Sequence, residues 1–472
     1  MKKKFVAFGL ICLLSAFSAS AKLFDINEYT LSNGARLLVV ENHKAPIVKH
    51  MVWYRVGAVD EKPGKGGAAH LLEHLMFRGT EKVPGSEFNR LMQINGADSN
   101  AFTSLDYTAY HQSLDVSRLE LAMALEADRM ANLDFSDEAF AAERDIVYQE
   151  RKQVVENQPL SAFAESLQHG LWQTHPYARP VTGTEEEILS LTREDVMDIY
   201  RRYYVPNNAI IVISGDIEPQ TAYRLAEKYY GKVPAGHEIG KKSFPAVNPT
   251  TRIMLKMKLP RVELPRVVRR YVVDSCNTDP QSIYAAMVLS AYLGEGDTSE
   301  LYKELVVKRK LALAAAASYD YASRSYGTFG LSAVPAAGVS PQELQKMLDR
   351  VVNDAVASLT DEKVEKVKNK MLAGLVYLRD NPNDAAYIVG SLYTVGMTRE
   401  DIENYADNIR AVDAAAVKKA AHRIFTGSAM TEGVVEPLNG EGEDELKGRI
   451  IFGFGRCRRC FRRCFLFFPA GF

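Results

Sequence analysis

Apolar positions fall into two periods along this chain. Short apolar runs at residues 37–40, 51–56 and 209–214, the last closed by Gly215-Asp216, have the length and branched content of buried strands. Helical spacing of apolar residues predicts helices over 87–94, 116–133, 137–156 and 193–204. Residues 234–249, with Pro234, Gly236, Gly240, Pro245, Pro249 and a lysine pair, read as a linker. Beyond it the scheme repeats. Strands are expected over 252–259 and 267–273, helices over 282–293 and 299–311, and further strands within 314–334. Three or four helices to residue 425 and a closing strand near 431–435 complete the second half. The expectation is an α+β protein of two homologous halves, 22–240 and 241–436, each an antiparallel sheet packed with helices. No strict short repeat is visible.

Length and composition change this picture little. A chain of 472 residues exceeds one ordinary core. Its 47 % hydrophobic and 25 % charged content is that of a soluble globular protein. With 58 basic against 59 acidic residues, the charge balance points to no nucleic-acid partner.

The ends of the chain differ in kind from its body. Lys2, Lys3 and Lys4, an apolar run over 5–17 and Ala19-Ser20-Ala21 form the pattern of a cleavable signal peptide over 1–21, which predicts export to a periplasm. No later segment is long and apolar enough to span a bilayer. Cleavage would remove Cys12 and leave four cysteines, too few in the body for a disulfide framework. Residues 437–472 are atypical: Cys457, Cys460 and Cys464 stand among five arginines and several phenylalanines. They read as a disordered extension or an out-of-frame end, and a metal knuckle there would lack a fourth ligand.

Chemistry enters with His70-Leu71-Leu72-Glu73-His74, inside a run of good helix formers. Residues four apart on a helix lie one turn above each other, so both imidazoles reach one metal ion while Glu73 lies beside them. A pair of helix histidines with a neighbouring surface glutamate would read the same. Two histidines cannot hold a catalytic zinc alone. On the helix expected over 137–156 the apolar stripe Phe140, Val147 and Val154 carries Glu143 and Glu150 between its members, which places two carboxylates on an inward seam. A rotated helix would send both to solvent, and periodicity alone does not choose.

These residues resemble the inverzincin peptidases, family M16, of the pitrilysin, insulinase and mitochondrial-processing-peptidase group. The resemblance covers roughly residues 25–436. Its specific parts are Gly67 through Thr80, Gly96 through Tyr110, Glu143 through Glu150, His175-Pro176-Tyr177 and Pro206-Asn207-Asn208-Ala209. It implies a clamshell of two halves enclosing a chamber and a zinc metalloendopeptidase for short or unfolded peptides. One Zn2+ would be held by His70, His74 and Glu150, with Glu73 as general base and Glu143 as supporting carboxylate. Asn100, Ala101, Phe102 and Thr103 would lie on the edge strand that accepts an extended peptide. The family also supplies an arginine and a tyrosine from a C-terminal half, and here those positions are Val306 and Leu313, with Lys310 at the usual glycine. That departure implies a heterodimer, in which a homologous subunit without zinc brings the missing pair. The alternative is a non-catalytic peptide-binding or assembly subunit of the same fold.

Overall fold

The computed structural model describes residues 22–438, so the expected signal peptide and nearly all of the basic tail lie outside the described residues. Eleven strands form two sheets among these residues. The first contains β1 (Ile26–Thr30), β2 (Arg36–Glu41), β3 (Ile47–Tyr54), β4 (Asp98–Thr103), β5 (Thr108–Asp115) and β6 (Ala209–Gly215), in the order β1-β2-β6-β3-β5-β4. The second contains β7 (Arg252–Leu259), β8 (Arg266–Val273), β9 (Ala312–Asp320), β10 (Gly327–Pro335) and β11 (Met430–Pro437), in the order β7-β11-β8-β10-β9. Apart from β1, the two orders are the same. Each sheet is antiparallel except for one parallel pair, β2 with β6 and β7 with β11. The duplicated α+β unit is therefore present, with the halves arranged as a clamshell.

Five helices of the first half are used below: α1 (Ala68–Leu75), α2 (Glu87–Ile94), α3 (Leu119–Asn132), α4 (Asp137–Asn157) and α5 (Pro159–Trp172). Strand alternation divides the first sheet into two faces. Val52, Tyr54, Tyr110, Ile211 and Ile213 share a core with Leu71, Leu72 and Leu75 of α1 and Met123 of α3. Met51, Trp53, Ala109, Ile210 and Val212 point the other way, into a core continuous with that of the second half.

The halves also exchange helices. α5 packs on β7, β8 and β11, while the helix Pro382–Val395 packs on β2, β3 and β6. A glycine permits close approach at each contact. A Cβ on Gly433 of β11 would lie 2.6 Å from Leu167 Cδ2, and one on Gly390 would lie 2.2 Å from Trp53 Nε1. A polar junction accompanies this packing where the β4–β5 and β9–β10 hairpins meet. Tyr177 Oη donates to buried Asp106 (2.7 Å), the Arg324 amide donates to the same carboxylate (3.1 Å), and Arg324 Nη1 donates to Asp60 (2.7 Å).

Several elements differ from the periodicity reading. β1, β5, α5 and the helix Pro219–Tyr229 were not marked by their apolar spacing. β5 interleaves His111, Gln112 and Ser113 with its apolar residues, and Gln112 is buried through a hydrogen bond to Glu126, so polarity hid a strand. Six helices, two of them a single short stretch, stand between 341 and 427 where three or four were expected. The helix expected over 299–311 is a π-helix, Tyr302–Lys308, which ends before Lys310 enters a left-handed conformation at φ 55°.

Candidate metal centre

α1 begins where the chain reverses at Gly67, whose φ is 87° and whose missing Cβ leaves room for Thr182 O, 2.4 Å from where that atom would stand. The Glu61 carboxylate accepts from the amides of Gly67 (3.2 Å) and Ala69 (2.8 Å), filling the role of a cap at a helix start that has none of its own. Burial pushes the Glu61 carboxyl up to about 8, against the pull of those amides and Arg179. Leu71, Leu72 and Leu75 anchor the inner side of the helix, which fixes His70, Glu73 and His74 toward α4 and β4.

α4 turns Glu143 inward as its stripe suggested, but not Glu150 to the same depth. Phe140 and Val147 are buried, Glu143 is buried with them, and Glu150 emerges half-exposed at the rim. Donor atoms of His70, His74 and Glu150 all lie within 4.8 Å of one another. His74 Nδ1 lies 3.1 Å from Glu143 Oε2, and its Nε2 lies 3.5 Å from Glu150 Oε2. A proton on Nδ1 that bonds Glu143 leaves the Nε2 lone pair turned to Glu150. The His70 and His74 rings stand 4.9 Å apart at 79°, and His70 Nδ1 is buried without a partner. Burial, followed by the neighbouring His74, lowers His70 to about 3, so its ring is neutral at physiological pH. Two imidazoles, one carboxylate and a buried ring nitrogen in want of a partner fit a zinc ion of the two-histidine, one-glutamate kind.

Glu73 is not part of that triplet. Its Oε2 accepts from Thr103 Oγ1 at 2.6 Å. Burial raises the Glu73 carboxyl above its ordinary range, and the Thr103 hydroxyl opposes that shift.

β4 is an edge strand of the first sheet, opposite β1, and among the described strands it pairs with β5 alone. The four expected peptide-contacting residues divide by face. Ala101 packs on the α1 side and Thr103 bonds Glu73, whereas Phe102 turns to the other face and meets Trp53, Tyr107 and Tyr387. Contact of Phe102 with a peptide is thus left to its backbone. The Ala101 amide donates to Asn100 Oδ1 (2.9 Å), so Asn100 occupies a main-chain donor of the strand. Val306 is half-buried against the second-half core, and Leu313 is exposed on β9, an edge strand of the second sheet. Neither side chain carries a donor.

Sequence reasoning missed Arg78, which ion-pairs with Glu143, and Glu61 at the start of α1. It placed Thr103 with the peptide and not with Glu73. Only Arg78 carried a local signal, because it lies three residues past the end of the motif helix.

The description "Insulinase (Peptidase family M16)" matches residues 36–185, and "Peptidase M16 inactive domain" matches residues 190–371. The chain is similar to the zinc protease PqqE of Helicobacter pylori, with 27 % identity over 413 residues that cover 84 % of this chain and 89 % of that protein. A solved protease from Helicobacter pylori superposes with a TM-score of 0.79 at 25 % identity, covering 88 % of this chain and 100 % of the other. The periplasmic protease PqqL from Escherichia coli shares the fold, with a TM-score of 0.76 at 16 % identity, over 91 % of this chain and 50 % of PqqL. This chain belongs to peptidase family M16.

Proposed function

We propose that this M16 member is an exported zinc-dependent endopeptidase for short or unfolded peptides, and that it is the metal-bearing subunit of a pair. The observation that carries the reading is the convergence of His70, His74 and Glu150 within 4.8 Å, with Glu73 beside them and held by Thr103. Zinc, when bound by these three residues, supplies a Lewis acid that brings the pKa of water to about 7 and polarises a carbonyl. The chain's own groups do the rest. An extended peptide adds to the free edge of β4 through main-chain hydrogen bonds, which tolerates many sequences. Glu73 accepts a proton from the attacking water and hands it to the leaving amine. Thr103 aims the Glu73 carboxylate and opposes the upward shift that burial imposes on it. Glu143 holds the His74 ring in one tautomer.

Residues 1–21 support export to a periplasm. Two observations support a partner. Val306 and Leu313 offer no donor for the carbonyl oxygen, and the chain matches half of PqqL. A homologous subunit with an arginine and a tyrosine at those positions would complete the site. The same apolar pair favours the second reading, a non-catalytic peptide-binding or assembly subunit.

Zinc content separates the two. Elemental analysis should find one zinc per chain in the parent and in Glu73→Gln, and none in His70→Ala or Glu150→Ala. Glu73→Gln should lose on the order of 100-fold or more in turnover of a quenched fluorescent peptide. A zinc-free parent would leave the assembly reading standing, and full turnover by Glu73→Gln would refute the role of Glu73.

A further inference from the structure

The geometry points to the ion pair of Arg151 and Glu165 as the link through which the second half positions Glu150. This inference rests on the proposed zinc site, in which Glu150 is the third ligand.

Glu150 is the ligand that the first half holds least. His70 and His74 stand on α1, whose Leu71, Leu72 and Leu75 are fully buried. Glu150 lies nearly one turn beyond Val147, the last fully buried apolar residue of α4. Its carboxylate is half-exposed and faces His74 Nε2 at 3.5 Å. Where that carboxylate comes to rest is therefore set by the course of the helix past Val147.

Arg151 tethers that stretch. A helix turns by about 100° per residue, so while Glu150 faces α1 the next side chain faces α5. Arg151 is buried and donates from Nη1 and Nη2 to the two oxygens of Glu165, the second at 2.8 Å. A bidentate guanidinium–carboxylate pair fixes direction as well as distance.

Glu165 in turn is anchored outside the first half. It stands midway between Phe163 and Leu167 in sequence, hence on the opposite side of α5 from both. Phe163 and Leu167 share a core with Val268 of β8 and Val435 of β11. One side of α5 thus grips the second sheet and the other grips the ligand helix. The half that supplies no ligand to the zinc site settles how Glu150 meets the histidines of α1.

Measurements on the full chain test this. Zinc Kd, from competition with a chromogenic chelator, should weaken by about 10–100-fold in Arg151→Met and in Glu165→Gln, the usual range for loss of a group behind a ligand. The double variant should be no weaker than either single one, because the two residues act as one link. Arg151→Lys should recover part of the loss, having the charge without the fork. In metal-free protein, hydrogen exchange should quicken at the amides of 150–155 in both single variants and stay that of the parent at 140–147. Gly433→Ala reaches the same link from the far side. Its Cβ would stand 2.6 Å from Leu167 Cδ2 and 2.8 Å from Phe163 Cε2, so it should displace α5 and weaken zinc as well. Gly390→Ala strains the other exchanged helix against Trp53 and should leave zinc Kd unmoved.

A merely structural pair predicts a lower urea midpoint with zinc Kd and the exchange at 150–155 unchanged, and that result would overturn the inference. So would equal weakening by Gly390→Ala, which would trace the loss of zinc to general loosening. Should Arg151→Met not fold by circular dichroism, Glu165→Gln carries the same test. Failure of the parent to bind zinc would instead defeat the zinc-site reading, while the exchange on metal-free protein would still decide whether the pair fixes the end of α4.

Discussion

Adding one methyl group at Gly390 should loosen the joint between the halves. Gly390 lies in the helix Pro382–Val395, which the second half lends to the first sheet. An alanine Cβ there would stand 2.2 Å from Trp53 Nε1, 2.3 Å from Cε2 and 2.7 Å from Cζ2. Ordinary carbon contacts are about 3.5–4.0 Å, so the ring would have to retreat by more than about 1 Å. It has nowhere to go. Trp53 is fully buried, with Phe102, Tyr107 and Tyr387 packed around it at centroid distances of 5.4, 5.1 and 5.7 Å. Overpacking of this kind costs about 1–3 kcal/mol, which outweighs the roughly 0.5–1 kcal/mol that alanine gains over glycine inside a helix. Gly374, in the helix Asp361–Asp380, is the matched control, because a Cβ there meets nothing within 4 Å. Gly374→Ala should stabilise by about 0.5–1 kcal/mol and Gly390→Ala should destabilise by about 1–3 kcal/mol. The assay is equilibrium urea unfolding followed by tryptophan fluorescence and far-ultraviolet dichroism, with coincident transitions as the check on two-state behaviour. Both tryptophans report on the joint: Trp53 faces Gly390, and Trp172 of α5 clusters with Val272 and Ala429 of the second half. A Gly390→Ala midpoint at or above that of the parent, at equal slope, would refute the close packing described.

Three further outcomes follow from the same structure. Ala101→Pro removes the β4 edge amide that Asn100 Oδ1 covers and that a bound peptide would take over, and should weaken binding of an extended peptide while zinc content stays that of the parent; unchanged peptide affinity would place the substrate elsewhere. Asp106 is pushed up to about 6 by burial from an ordinary value of 3.8, so its folded form holds a proton more tightly than its unfolded form. Its contribution is therefore complete below about pH 4 and lost as pH rises through 6, and Asp106→Asn should gain about 3 kcal/mol on the parent between pH 4 and 7.5; a flat difference in paired urea titrations would contradict this. The isolated zinc-loaded chain should be nearly silent, since an absent polarising contact costs about 2.7–4 kcal/mol of transition-state stabilisation; full turnover by protein free of other chains would remove the case for a partner.

The departures at Val306, Lys310 and Leu313 illustrate how far residues alone carry. At Lys310 the structure shows φ 55°, a left-handed position that favours glycine, so the expected glycine marks a backbone need that lysine meets at a cost. Where the conformation of one residue or the period of one helix decides the matter, the sequence is legible. The order and spacing of His70, Glu73 and His74 define one helix face, because helical geometry is local and periodic. The stripe of α4 left two rotations open, and the fold buries Glu143 with Phe140 and Val147 while Glu150 stays half-exposed at the rim.

What required the folded chain is whatever depends on distant segments meeting. The edge position of β4 follows from pairing over the whole sheet, and the division of Ala101 and Thr103 from Phe102 follows from which face α1 covers. The exchange of α5 and the helix Pro382–Val395 between sheets has no signature in either helix, because burial against a partner's sheet and against its own demand the same apolar residues. Arg78 gains its meaning only when α4 brings Glu143 beneath it, and Asp106 only when the second half delivers Arg324. Periodicity marked many of the elements and the helix face that carries His70, Glu73 and His74. Tertiary contact decided the charges behind that face, since a buried charge is set by its neighbours in space and not by its neighbours in sequence.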